Sequence, residues 1–253
     1  MKKENYFKII LTSLIFALFI QINLFSQSEI TSLSCYNFYS CVYKGYYSKD
    51  PQTQIEYYSK ALLLWKDVYG IKIKSGIYVN RGSAYQNLKQ YDKAISDYNK
   101  AIELNPADAD AYYDRGLVYY HLKQYNRAID DYSKAIELNP NFAYAYNNRG
   151  ITYLWLGKCK KAKSDFDKAI EIGKDKPPSY GNLGIYWWYC NKNKNKSLYY
   201  FEKAFQQGFS SQEWNNLYDK TSAGHFIKDL NQTPEFKKLV KKYKNKQTSN
   251  QGE

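Results

Sequence analysis

Between residues 75 and 176 one arrangement of small, aromatic and polar positions occurs three times at a spacing of 34 residues. Small residues fall at Gly82, Ala94 and Ala101, then at Gly116, Ala128 and Ala135, then at Gly150, Ala162 and Ala169. Bulky aromatics keep register with them at Tyr85 and Tyr98, Tyr119 and Tyr132, and Tyr153 and Phe166. Each copy has the apolar spacing of two helices joined by a short turn, such as Lys89-Gln90-Tyr91. A fixed period of this length marks stacked supersecondary units. In the first unit helices are predicted near Gly76–Leu88 and Asp92–Leu104. Asn105-Pro106 stops the second, because proline cannot continue a helix and pushes its predecessor towards extended geometry. Turns this short make neighbouring helices antiparallel. The small residues stand where two axes approach to about 8–10 Å.

The period predicts units at 75–108, 109–142 and 143–176, and a divergent one at 177–208 with Tyr180, Gly184, Trp187, Phe201 and Ala204 in register. In that unit the turn through Asn191 to Lys196 is one residue longer, and Ser197 replaces the first alanine. Residues 33–74 read as a degenerate helix pair: one helix from Leu33 to Ser48, a second opened by Asp50-Pro51 and reaching about Tyr69, and a longer connection from Gly70 to Gly76. Residues 209–246 read as a helical cap, with a short helix at Gln212 to Tyr218 and a last one opened by Thr233-Pro234. In the last, Phe236, Leu239, Val240 and Tyr243 fall at i, i+3, i+4 and i+7. Residues 247–253 read as a disordered tail.

The first 26 residues change the picture of compartment. Lys2, Lys3 and Lys8 precede an apolar run from Ile9 to Ile20, and small Ser26 suits a cleavage position, the layout of a secretory signal peptide. The alternative is an uncleaved inner-membrane anchor over residues 9–25, interrupted by Gln21 and Asn23. Export to the periplasm or the outside is expected. It would permit disulfides among Cys35, Cys41, Cys159 and Cys190. A Cys35–Cys41 bridge is disfavoured if the segment is helical, since residues six apart sit about 240° around and ~9 Å along the axis. Cys159 and Cys190 fall near the same end of neighbouring units and can bridge.

A formal charge of +13 raises nucleic acid as a partner, but the excess is spread along the chain rather than focused on a stripe. Local runs occur only at Lys192, Lys194 and Lys196 and from Lys237 to Lys246, and nucleic acid is not expected. The 29 tyrosines are first of all fillers between packed helices. No nucleophile with a base, carboxylate pair or metal-ligand spacing is visible, and no glycine loop that would cradle a phosphate. Neither catalysis nor a cofactor or metal is therefore expected. Arg81, Arg115 and Arg149 precede the glycine of their units, and Asp97, Asp131 and Asp165 precede the aromatic of the second helix. The fourth unit has Leu183 and Tyr200 there, and the degenerate unit Cys41 and Tyr57. Charges that come and go together are expected to pair across the seam; the alternative is that the arginines face an anionic ligand.

These residues resemble the tetratricopeptide repeat family. Its order of aromatic, Gly, Tyr, Ala, aromatic, Ala and Pro appears as Tyr78, Gly82, Tyr85, Ala94, Tyr98, Ala101 and Pro106, and again from Tyr112 to Pro140. The third unit has Lys174 in place of the proline. The resemblance implies an all-α, right-handed superhelical solenoid of antiparallel helix pairs with a capping C-terminal helix. It also implies a concave groove, lined by the first helices, that receives a peptide or protein partner. Positions expected to line it include Asn80, Ser83 and Gln86; Tyr113, Asp114, Leu117, Tyr120 and His121; Asn147, Asn148, Ile151, Leu154 and Trp155; and Asn182, Ile185, Trp188 and Tyr189. Asn80, Asn148 and Asn182 recur in register as candidates to bond a partner's backbone, and Tyr120, Trp155, Trp188 and Tyr189 as anchors; the alternative for Trp155 and Trp188 is packing against the terminal helices. The family's clamp for a C-terminal carboxylate is not expected, since Gly76, Asp110, Tyr144 and Pro178 stand where its lysines would be. An interaction scaffold in the cell envelope is the expected function. The alternative is an accessory that binds an anionic polymer or lipid through the basic tail.

Overall fold

The computed structural model describes residues 35–173, 177–207 and 229–249. The leader or anchor segment and the helix expected at Gln212 to Tyr218 lie outside the described residues. The described residues form five antiparallel helix pairs and a terminal helix: α1 Phe38–Tyr47 and α2 Pro51–Leu63, α3 Ile71–Asn87 and α4 Tyr91–Leu104, α5 Ala109–His121 and α6 Tyr125–Leu138, α7 Ala143–Trp155 and α8 Cys159–Ile172, α9 Pro177–Tyr189 and α10 Lys194–Gln206, then α11 Pro234–Ser249. No strand occurs among the described residues. Consecutive helices pack throughout, and the first helices α3, α5, α7 and α9 also touch one another in order, so the pairs stack as a solenoid.

The interior of each pair is closed by one aromatic ring against one glycine. A Cβ on Gly82 would lie 2.8 Å from Tyr98, on Gly116 2.8 Å from Tyr132, on Gly150 2.5 Å from Phe166 and on Gly184 2.8 Å from Phe201, so only glycine fits. The alanines expected at close approaches are fully buried, and Ser197 sits buried with its Oγ donating to the Gly184 carbonyl at 2.9 Å. At the turn within each of the four repeats from residue 71 on, one residue adopts a left-handed conformation, Lys89, Lys123, Gly157 or Lys192. In the first three turns the next residue's N–H closes back five residues, as Gln90 does onto the Tyr85 carbonyl at 2.9 Å.

The N-terminal pair departs from the sequence reading. Its first helix begins at Phe38, capped by Asn37, and its second ends at Leu63. A single 3-10 turn spans Asp67–Tyr69, and Gly70, at φ 85°, lets α3 begin at Ile71 rather than Gly76. Cys35 precedes the cap, so the helical geometry that disfavours a bridge does not apply, and Cys35–Cys41 is a disulfide. Gly45 faces Tyr58 at 2.8 Å, which makes Lys44, not Cys41, the counterpart of the arginines. Lys44 Nζ lies 5.7 Å from the ring centre of Tyr57, the counterpart of the aspartates, so a cation–π contact replaces the ion pair. At the other end α11 runs to Ser249, past the expected start of the tail. It docks through buried Phe236 and Tyr243, with Leu239 and Val240 packed on the same cluster. Lys242 pairs with Glu202 at 2.6 Å and Lys194 with Glu235 at 2.6 Å.

Candidate interaction groove

Two adjacent positions on each first helix do different work. On the seam side Arg81 donates to both carboxylate oxygens of Asp97 at 2.7 Å, Arg115 to those of Asp131 at 2.7 and 2.8 Å, and Arg149 to those of Asp165 at 2.8 Å. Each guanidinium has a third bond, to Ser59, Asn99 or Ser133 on the preceding pair's second helix. Two tyrosines flank it at 5.5 and 5.9 Å, Tyr112 and Tyr119 in the case of Arg115. The arginine thus ties three helices together with all its geometry in use. A depression of about 390 Å³ borders Arg115, Tyr119, Arg127 and Asp131, but it offers no uncommitted guanidinium for an anion, since Arg127 bonds Gln124 and covers Tyr119.

The residues Asn80, Asp114 and Asn148, each before an arginine, and Asn182 before Leu183 mark the rungs of a diagonal ladder between first helices, and two of the rungs are bonded. Asn148 Nδ2 donates to the Tyr113 hydroxyl at 2.8 Å, and Asn182 Nδ2 to Asn147 Oδ1 at 2.7 Å, each reaching 35 residues back. The Asn148 and Asn182 amide groups are thus bonded within the stack. Asn182 is buried outright against Asn147 of the preceding first helix; Asn147, Ile151 and Leu154 on α7 are buried too, and Ile185 is buried in the C-terminal core with Phe201 and Phe236. Asn80 stays exposed beside the Tyr58 phenol, whose pKa burial pushes up to about 12.

What remains partly open is Tyr113, Asp114, Leu117, Tyr120, Asn148, Trp155, Trp188 and Tyr189, with His121 exposed at the α5 terminus. Trp155 Nε1 donates to the Tyr120 hydroxyl at 3.0 Å, and its ring stacks on Tyr125 at 5.8 Å. His121 stacks on Tyr91 at 5.9 Å, and burial followed by nearby Lys89 lowers its pKa. Trp188 and Tyr189 pack against the C-terminal core of Ile185, Phe201 and Phe236. Both are only partly buried there.

The floor changes along the stack. In the first repeat the Tyr98 hydroxyl bonds Ser83 at 3.2 Å and donates to Gln86 at 3.0 Å. In the second, Leu117 and Tyr120 replace those partners, and the buried Tyr132 hydroxyl has none. In the third and fourth the hydroxyl itself is gone, at Phe166 and Phe201, over Ile151 with Leu154 and Ile185 with Trp188. Asp114 sits at the change. Burial first, then Asp110 and Asp108, pushes its carboxyl up to about 7. A pair of junction cysteines completes the edge: Cys159–Cys190 is a disulfide with Cα atoms 6.0 Å apart, at the place where Tyr91 meets His121 and Tyr125 meets Trp155 in the earlier units.

Comparison with known proteins agrees with this geometry. Tetratricopeptide repeat families match residues 109–142 and 132–171, and a TPR repeat family matches residues 82–123. No curated protein matches the chain. Among solved structures, MamA 41-end from Desulfovibrio magneticus RS-1 superposes with a TM-score of 0.58 at 19% identity, over 67% of this chain and 92% of that one. A second MamA protein gives 0.55 at 23% identity, over 73% and 96%. YrrB, described as a TPR protein with an unusual peptide-binding site, gives 0.51 at 24% identity, over 66% and 84%. At these identities the likeness is one of fold.

Proposed function

The chain is a tetratricopeptide repeat protein, and from that premise we propose that it is a non-catalytic interaction scaffold of the cell envelope. Its ligand is an extended segment of a protein partner, laid in the groove between Tyr113 and Tyr189. The observation that carries this reading is the row of partly exposed aromatics on successive first helices, Tyr113, Tyr120, Trp155 and Trp188. Such rings supply anchoring area at low entropic cost, and the inter-helix bonds hold the row rigid. Export is supported by the charged and apolar layout of residues 1–26 and by two bridged cysteine pairs. An intact mass beginning at Gln27 would establish cleavage; a full-length chain in the membrane fraction would point to the anchor instead.

Selection of binders from a displayed random dodecapeptide library tests the groove. Saturable binding is expected, weakened about tenfold or more by Trp188→Ala, as befits loss of a buried aromatic anchor. The basic-tail reading has its own support in Lys237, Lys238 and Lys241, all exposed on α11. Salt-sensitive binding to anionic vesicles, lost when these three become glutamine, would favour it. Substitution is the right tool, since truncation would strip Phe236 and Tyr243 from the core.

A further inference from the structure

Asp114 breaks the asparagine ladder at one rung. By the same 35-residue step that joins Asn148 to Tyr113 and Asn182 to Asn147, its counterpart on the preceding first helix is Val79, which has no polar side-chain atom. The carboxylate therefore lacks the partner its neighbours have. Arg115, next in sequence, is committed to Asp131 and Asn99. Among the described residues no lysine or arginine pairs with Asp114, although the chain carries +13 overall.

A second, independent defect lies beside it. The Tyr132 hydroxyl is buried and without a hydrogen-bond partner, under Tyr113, whose ring centre is 5.9 Å from its own, and within the field of Asp114 and Tyr120. The two groups, a carboxyl without a partner and an orphan phenol, are bordered by aromatic rings. Carboxylate together with π-faces is the environment that stabilises an organic cation in a partly dehydrated site.

We propose that this rung is a socket for a lysine or arginine side chain of the partner segment, with Asp114 as its counter-ion. The inference rests on the groove-binding reading above and adds the chemistry of the ligand. A basic residue near the middle of the segment enters at Asp114, while apolar or aromatic residues on one side of it run towards Trp155 and Trp188. Local charge agrees: Asp108 and Asp110 open the same helix, so this stretch of a basic protein is acidic.

Binding of the cation requires the ionised carboxylate, so affinity rises with pH as Asp114 loses its proton. The other groups facing it are Asp110 and Asp108 on its own helix and cap, Tyr113 beside it with Tyr144 from α7, Tyr98 from α4, and Tyr132 from α6. Burial raises the phenols Tyr98, Tyr113 and Tyr132, which stay neutral over this range, and the Asp110 carboxyl is raised in the same direction as Asp114.

The dodecapeptide selection on the full chain, repeated with Asp114→Asn and Asp114→Glu, tests the socket. Selected peptides should concentrate lysine or arginine at one position, and the best of them should bind about tenfold more weakly to Asp114→Asn, as expected for loss of a charge pair. Its affinity for the parent should rise between pH 6 and pH 8, and for Asp114→Asn it should not; Asp114→Glu should keep the basic preference. Saturable binders with no basic preference, or binders indifferent to Asp114→Asn, would overturn the socket and leave the groove standing. Absence of any saturable binder would overturn both. Unchanged circular dichroism of the variants guards against misfolding as the cause.

Discussion

The arginine seam and the asparagine ladder lie one residue apart on the same helices, yet they have diverged to very different degrees. At Arg81, Arg115 and Arg149 three units present the same guanidinium to the same carboxylate within 0.1 Å, with an equivalent third bond. At Asn80, Asp114, Asn148 and Asn182 the rungs differ: Asn80 is exposed and bonds the Tyr58 phenol, Asp114 is an unpaired acid, Asn148 donates to the Tyr113 phenol and Asn182 is buried against another amide. Both sets contact the preceding unit. The seam arginine is surrounded on three sides by helices of fixed spacing, and any change there leaves a charge without its partner. The ladder faces the groove, where a substitution alters only what the next first helix or a ligand meets.

The most damaging way to break the seam is Asp131→Ala. It leaves Arg115 half-buried and uncompensated, and a loss of about 2 to 3 kcal/mol is expected, against under about 0.5 kcal/mol for exposed Asp130→Ala. Urea unfolding of both, with a double-mutant cycle to Arg115, measures it, and absence of coupling would show that the pair is incidental. Ala101→Leu probes the same frame without charge. Its buried Cβ leaves no room, and about 2 kcal/mol should be lost by overpacking; an unchanged melting curve would refute the close approach.

On the groove side the expected sign reverses. Asp114 holds its proton in the folded chain up to about pH 7, whereas its ordinary value is 3.8. Folding therefore binds a proton in that window, and stability falls as pH rises from about 4 to about 7. Asp114→Asn removes the burden and should raise the melting temperature at pH 8 by about 2 to 4 °C, the equivalent of about 1 kcal/mol. The gain should vanish near pH 4. A variant less stable than the parent at pH 8 would mean that the carboxylate has a structural partner after all.

The seam was legible from residue types alone, because Arg and Asp are absent together at Leu183 and Tyr200. The degenerate pair misled for a related reason: its turn is shorter, so Gly45 rather than a residue at the usual spacing meets the aromatic, and the Lys44–Tyr57 contact is invisible until the helices are paired. The groove was half legible. Periodicity tells which residues share a helix face, but Asn182 and Leu154 are covered by a neighbouring first helix, and that coverage depends on contacts 35 residues away. The one signal that pointed ahead was Asp114 itself, an acid where its three counterparts are amides.

In a stack whose members touch only their neighbours, cooperativity is set interface by interface, and a single strong junction merges two members into one unit of opening. The Cys159–Cys190 bridge occupies the junction that ring stacking closes elsewhere, and α11 seals the far side of the same pair. The last two repeats and their cap thus form one covalently latched block. The junctions before Cys159 are closed by stacked rings, Tyr91 on His121 and Tyr125 on Trp155, without a covalent link, while Trp188 and Tyr189 sit on the latched block.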